Sequence, residues 1–158
     1  MSSFRVPKRP LSVEVRSLGD SLKAEVLLTE VQNPDERGER LRDLLATRRF
    51  VPYRGPEGVR LIGTERTLWV RLSMFEGLEE LDEEAEGSAE SVAAHVQLLL
   101  EDRSTLEGIL RYLLPKESRR LSDYLERVSG FVPLHSEEWL YLVNLDRVIQ
   151  VIPLEEAK

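Results

Sequence analysis

Few residues in this chain could do chemistry, and their types narrow what that chemistry would be. Asp43 and Asp123 stand at matching places in two similar stretches, Arg40-Leu41-Arg42-Asp43-Leu44-Leu45 and Arg120-Leu121-Ser122-Asp123-Tyr124-Leu125. As catalytic acids they would need a cleft and a partner group of different pKa. In the first turn of a short helix, a carboxylate instead serves the helix dipole or a nearby arginine. His95 and His135 have no serine or carboxylate at a spacing that suggests a triad, and two histidines alone make no His-rich metal site. The chain has no cysteine, which excludes disulfides, thiolate zinc sites and a cysteine nucleophile. The phosphate-cradling patterns GxxxxGK[ST] and GxGxxG are absent. The carboxylates at 79–86 lack the alternation and glycine of a calcium loop. These residues point to no catalytic, cofactor or metal site, and the expectation is a non-enzyme.

One basic cluster stands out. Arg37, Arg40, Arg42, Arg48, Arg49 and Arg54 surround a predicted helix, with Phe50 and Tyr53 close by in sequence. Basic residues interleaved with aromatics suit phosphate and base contacts. The plainer reading of the same residues is a solvated helix surface beside a core phenylalanine. Trp69 and Trp139 read as packing residues rather than ligand platforms.

The elements that must position these residues follow from hydrophobic periodicity. Leu11, Val13 and Val15 alternate, as do Leu22, Ala24, Val26 and Leu28, with a turn signal at Leu18-Gly19-Asp20-Ser21 between them. Asn33-Pro34-Asp35-Glu36 resembles a helix start. Leu41, Leu44 and Leu45 then make one buried helical face. Phe50-Val51-Pro52-Tyr53 opens a strand, followed by strands around Val59–Leu61 and Leu68–Leu72. The order repeats after residue 90. Val92–Leu100 and Leu106–Tyr112 alternate, and Leu121, Tyr124, Leu125 and Val128 share a helical face. Phe131-Val132-Pro133-Leu134 and strands at Trp139–Val143 and Val148–Ile152 complete the set.

With 158 residues, 41% hydrophobic and 32% charged, the composition is that of a soluble globular protein. No apolar run reaches the roughly 18 residues of a membrane span, and the N-terminus lacks the apolar core of a signal peptide. The expected location is cytoplasmic, with no membrane partner. The net charge is −7. It is unevenly spread, since Glu76 to Glu90 holds eight carboxylates and no Lys or Arg. Overall acidity disfavours non-specific nucleic-acid binding, although the first half is basic. The acidic stretch reads as a solvated linker or short exposed helix, or else as a docking segment for a basic surface.

The two halves match in order. Val13 and Val15 align with Leu98 and Leu100, and Leu22, Ala24, Val26 and Leu28 with Leu106, Gly108, Leu110 and Tyr112. Phe50-Val51-Pro52 aligns with Phe131-Val132-Pro133. A repeat this long suits a duplicated small domain rather than a solenoid. The predicted fold is α+β and mostly β: two tandem copies of a small β-β-α-β-β, barrel-like unit packed as a pseudo-dimer, or joined through one shared sheet. The predicted layout is an arm at 1–10, a first copy at 11–75, an acidic linker at 76–90 and a second copy at 91–154.

The second copy resembles a bacterial family of small domains of unknown function, through Arg120-Leu121-Ser122-Asp123-Tyr124-Leu125 followed by Phe131-Val132-Pro133-Leu134. Leu106-Glu107-Gly108 and Asn144-Leu145-Asp146-Arg147-Val148-Ile149 more weakly resemble Sm-like barrels. Those proteins place their helix before the first strand, whereas this chain places one after the second, and no RNA-binding residue can be carried over. The resemblance implies a small β-rich fold with no assigned activity. The expectation is a protein-interaction (adaptor or scaffold) module with a protein partner. Homo-oligomers are allowed, and the alternative is an Sm-like nucleic-acid or nucleotide binder using the six arginines.

Overall fold

A computed structural model describes residues 8–29, 40–81, 91–113 and 120–154. The expected helix start at Asn33–Glu36 and the arm before Lys8 lie outside these residues.

The described chain is mostly β. A hairpin of β1 (Lys8–Ser17) and β2 (Asp20–Thr29) turns at Gly19, whose φ of 90° lies in the left-handed region that glycine enters freely. Helix α1 (Leu41–Thr47) leads into a second hairpin, β3 (Phe50–Gly55) and β4 (Gly58–Gly63). A 3-10 turn at Thr64–Arg66 connects to β5 (Thr67–Ser73), and the short helix α2 (Met74–Gly77) with a further 3-10 turn at Leu78–Glu80 follows. The second half runs β6 (Val92–Leu100), β7 (Thr105–Tyr112), α3 (Leu121–Arg127), β8 (Phe131–His135), β9 (Trp139–Asn144), a 3-10 turn at Leu145–Arg147, and β10 (Val148–Pro153).

All ten strands belong to one antiparallel sheet, in the order β10-β6-β7-β8-β9-β5-β1-β2-β3-β4. The strands share one sheet, the alternative to the predicted pair of barrel-like units packed side by side, and each half contributes five strands rather than the four of β-β-α-β-β because Phe50–Gly55 and Phe131–His135 form full strands. β5 and β9 form the join, paired from Trp69 opposite Val143 to Ser73 opposite Trp139.

The sheet is not flat. β2 meets β3 through the single pair Glu25–Arg54, and β7 meets β8 through Ile109–His135 alone. At these narrow seams the sheet folds back, so that side chains from several strands meet around common cores. The first core gathers β1, β2, α1, β3 and β5, and takes Leu140 and Leu142 from β9. The second gathers β6, β7, β8 and Val143, and takes Leu68 and Trp69 from β5. Pro52 and Pro133 sit opposite Leu61 and Leu142. Each falls beside a seam that carries only one ladder pair, so its missing N–H costs no bond on that side.

Alternation explains which residues point inward. In β1 the buried positions are Leu11, Val13 and Val15, two apart, as a half-buried strand requires. In β5 the order is interrupted: the partners of β1 skip from Trp69 to Thr67, leaving Leu68 as the extra residue of a bulge. The bulge turns Leu68 and Trp69 to the second core while Val70 and Leu72 face the first. That interruption is why Trp69 packs together with Leu68 rather than on the opposite face.

Polar links tie the halves together at the join. Asn144, which is buried, donates through Nδ2 to the carbonyl oxygen of Thr67 at 3.1 Å. Arg16 grips Asp102 with Nε at 3.0 Å and Nη2 at 2.9 Å. The Arg147 guanidinium donates to the carbonyl oxygen of Glu65. No helix among the described residues is long and apolar enough to cross a membrane.

Candidate functional site

The five described arginines of the predicted basic surface differ in partner and in exposure. Arg37 lies outside the described residues. Arg40 opens α1, its backbone N–H donating to Asp43 Oδ2 at 2.8 Å and its guanidinium 3.9 Å from the same carboxylate. Asp43 is therefore a helix-start carboxylate with an arginine partner. Arg42 donates through Nη1 to the carbonyl oxygen of Glu80 at 3.2 Å. Arg54, at the far end of β3, pairs with Glu25 at 2.9 Å. Arg48 and Arg49 are exposed at the C-terminal end of α1, where Arg49 lies 5.8 Å from the centre of the exposed Phe50 ring. Tyr53 is fully buried and unavailable to any ligand, because alternation along β3 sends Val51 and Tyr53 into the core and leaves Phe50 outside.

Glu80 is the residue that sequence reasoning missed. It lies in the acidic stretch but is buried, and its carboxylate accepts from the backbone N–H of Leu41 at 2.8 Å and of Arg42 at 2.9 Å. It thus satisfies two donors at the start of α1 from a point 38 residues further along the chain. Burial pushes its carboxyl above the ordinary range, against the pull of those two N–H groups and of Arg40 and Arg42. Nothing in the local sequence separates Glu80 from the carboxylates around it.

Two grooves bring polar groups together. The larger, about 660 Å³, is lined by Glu14, Lys23, Glu25, Arg54, Arg71 and Trp139 among others. Arg71 is part of its wall. It bonds Glu14 Oε1 at 2.7 Å and the Tyr141 hydroxyl at 3.3 Å, and its guanidinium stacks 4.2 Å from the centre of the Trp139 ring. Cross-strand pairing of Glu14 with Arg71 and of Arg71 with Tyr141 sets up this row on one face of β1, β5 and β9. Glu14 and Glu25 are each paired with an arginine. The second groove, about 400 Å³, lies between α1 and the turn at Leu145–Arg147, with Arg40, Arg42, Asp43, Thr64, Asn144 and Asp146 in its wall. Both grooves mix charges of opposite sign.

The histidines stay apart. His95 Nε2 lies 3.1 Å from Glu107 Oε2 on the outer face of β6 and β7, and His135 ends β8. Among the described residues no group of three or more His, Asp or Glu is placed to hold a metal ion.

Several large apolar side chains face solvent. Val59 and Leu61 on β4, Ile149 and Ile152 on β10, and also Phe50, Phe75 and Leu78 are exposed. Among the described residues β4 and β10 are also the two end strands of the sheet, each with a neighbour on one side only. No family model matches the chain, and neither the curated proteins nor the solved structures provide a match.

Proposed function

We propose that the chain is two copies of one five-stranded unit joined in a shared sheet, and that it works as a non-enzymatic protein-interaction module. Several repeated details support the copy reading. Both halves order their strands as fifth, first, second, third, fourth: β5-β1-β2-β3-β4 and β10-β6-β7-β8-β9. The bonds Leu18 N–H to Arg66 O (3.2 Å) and Thr64 N–H to Arg49 O (2.9 Å) recur as Glu101 N–H to Arg147 O (3.0 Å) and Leu145 N–H to Gly130 O (3.0 Å). The fifth strand bulges at Leu68 in one half and at Ile149 in the other.

On this reading Val15, paired with Leu22 and Val70, corresponds to Leu98, paired with Leu106 and Val151. The first strands therefore align two residues away from the match that sequence alone suggests. A strand of alternating apolar residues slides by two without changing its buried face, so sequence could not choose.

The observation that carries the interaction reading is the exposed apolar character of the two end strands. Unpaired strand edges offer a row of N–H and C=O groups, and native proteins ordinarily blunt them with charge or cover them. Here Val59, Leu61 and Ile149 add apolar surface to those edges. Affinity capture with the immobilised chain, repeated with Leu61→Lys and Ile149→Lys, tests the reading. Capture that one or both substitutions abolish is the expected result. Equal capture by both variants, or turnover of a substrate by the purified chain, would remove it.

A second reading rests on Arg48, Arg49 and Phe50, exposed together at the end of α1. It keeps the neighbouring exposed residues of the nucleic-acid alternative. It predicts salt-sensitive RNA binding that Arg48→Glu/Arg49→Glu abolishes. Absence of binding at low salt ends it.

A further inference from the structure

We propose that β4 and β10 are partners for each other in different molecules: chains assemble head to tail, β4 of one pairing antiparallel with β10 of the next. This rests on the interaction reading above and names the partner as a second copy of this chain.

The chain already contains one such junction. At the join, β9 is the fourth strand of its half and β5 is the fifth strand of the other, paired antiparallel. The two strands left at the ends of the sheet are the remaining fourth strand, β4, and the remaining fifth strand, β10. The free edges are thus the same two kinds of edge that the molecule has joined once internally.

The side chains agree with the edges. At the internal junction Leu140 and Leu142 leave their own half and enter the first core, while Leu68 crosses into the second. All three are fully buried. Counting back from the 3-10 turns, Val59 and Leu61 stand where Leu140 and Leu142 do, and counting forward from them, Ile149 stands where Leu68 does. These counterparts are exposed by 63%, 67% and 52%. The same apolar positions are present at both kinds of edge, and only those at the internal junction are covered.

The second core also looks short of its fourth-strand contribution. Leu41, Leu44 and Leu45 of α1 are buried in the first core, whereas Leu121, Tyr124 and Leu125 of α3 are only partly buried against the second. Val70 is fully buried, and its counterpart Val151 is not. Val59 and Leu61 from a neighbouring chain would supply the second core with what Leu140 and Leu142 supply to the first. Transferring the internal register sets Val151 opposite Leu61 and Gln150 opposite Ile62, the positions of Val70–Leu142 and Trp69–Val143. A two-residue slide would retain the same faces, so the edge residues rather than the register are the point to test.

Because the two edges differ, this contact is heterologous: it propagates into a ring or an open chain rather than stopping at a symmetric dimer. That property makes it testable by sedimentation velocity and light scattering on the full chain over a range of micromolar concentrations. The wild type is expected to form species larger than a dimer. Leu61→Lys blocks β4 and Ile149→Lys blocks β10, and each variant alone should sediment as a monomer with an unchanged far-UV spectrum and melting curve. Mixed in equal amounts they should form a discrete dimer, since one intact β10 meets one intact β4 and nothing further can add. Should either variant fold poorly, Val59→Lys and Ile152→Lys address the same two edges. A wild type that stays monomeric, variants that keep the wild-type assembly, or a variant that dimerises by itself would each overturn the proposal. A monomeric wild type whose capture of another protein still depends on Leu61 or Ile149 would leave the interaction reading standing. Loss of both behaviours would remove the two together.

Discussion

Gly108 shows how a single residue can be dictated by a strand that comes later. A Cβ there would lie 2.5 Å from the carbonyl oxygen of His135 and 2.9 Å from Leu134 Cγ, where β8 crosses β7. Backbone cannot step aside as a flexible side chain can. Gly108→Ala is expected to destabilise the fold by roughly 1–3 kcal/mol in urea denaturation, the range for forced overpacking. Two carboxyl groups should divide the pH dependence of stability between them. Removal from water works against ionisation of Asp102, but hydrogen bonds from Ser104 and the Arg16 pair outweigh it and hold its carboxyl below the ordinary range. A lowered folded pKa means the unfolded chain binds the proton more readily. Asp102 therefore stabilises above its unfolded value of about 4 and loses that contribution as pH falls through its folded value. Glu80 has the opposite sign. Its raised folded pKa contributes stability below the unfolded value of about 4.3, and that contribution is lost as pH rises through the folded value. Asp102→Asn should flatten the acid limb of a stability–pH curve, and Glu80→Gln should flatten the decline above it.

Among the elements, α1 and α3 have almost the same sequence pattern and different surroundings. α1 has three buried leucines, Glu80 across its first turn, and Met74 and Leu81 packed against the same core. α3 has no buried residue; its Tyr124 instead stacks on Tyr112, with ring centres 4.4 Å apart. The apolar spacing predicted burial of Leu121, Tyr124 and Leu125, and in the single chain they are only half covered. Leu45→Ala should then cost roughly 2–5 kcal/mol, as a deletion from a closed core does. Leu125→Ala should cost less than about 2 kcal/mol, because part of its surface is already in water. Equal losses by chemical denaturation would mean that α3 is packed as tightly as α1.

At the scale of the whole molecule the join makes the halves interdependent. Leu140 and Leu142 belong to β9 by chain and to the first core by packing, and Leu68 and Trp69 cross the other way. Neither half can open without exposing residues of the other. Unfolding should therefore be a single transition, with tryptophan fluorescence (Trp69 and Trp139 both flank the join) coincident with far-UV circular dichroism. Leu142→Ala should lower both midpoints together, and separate transitions would show independent units. The unpaired ends of the same sheet are where the proposed assembly adds further chains.

Alternating apolar residues marked most of the strands, and the i, i+3, i+4 leucines marked α1, because burial of one face acts over a few residues and leaves a local period; β3 and β8 were legible only as Phe-Val-Pro strand starts, since a proline within so short a run obscures the alternation. The mostly β character and the strand order along the chain could be read for that reason. The recurring Arg-Leu-x-Asp-x-Leu and Phe-Val-Pro stretches pointed to a repeat on the same local grounds. What only the tertiary structure decided are the contacts between residues far apart in sequence: the single shared sheet, the bulge that turns Trp69 toward the second core, Glu80 across the start of α1, and the Arg71 row with Glu14, Tyr141 and Trp139. The same holds for the arginines. A cluster in sequence divides into contacts with Asp43, Glu80 and Glu25 and an exposed Arg48–Arg49 end, because each arginine meets the carboxylate or carbonyl that the fold brings beside it. Adjacency along a chain measures distance in residues, whereas charge pairing and coverage of apolar surface depend on distance in space, and the fold sets the second independently of the first.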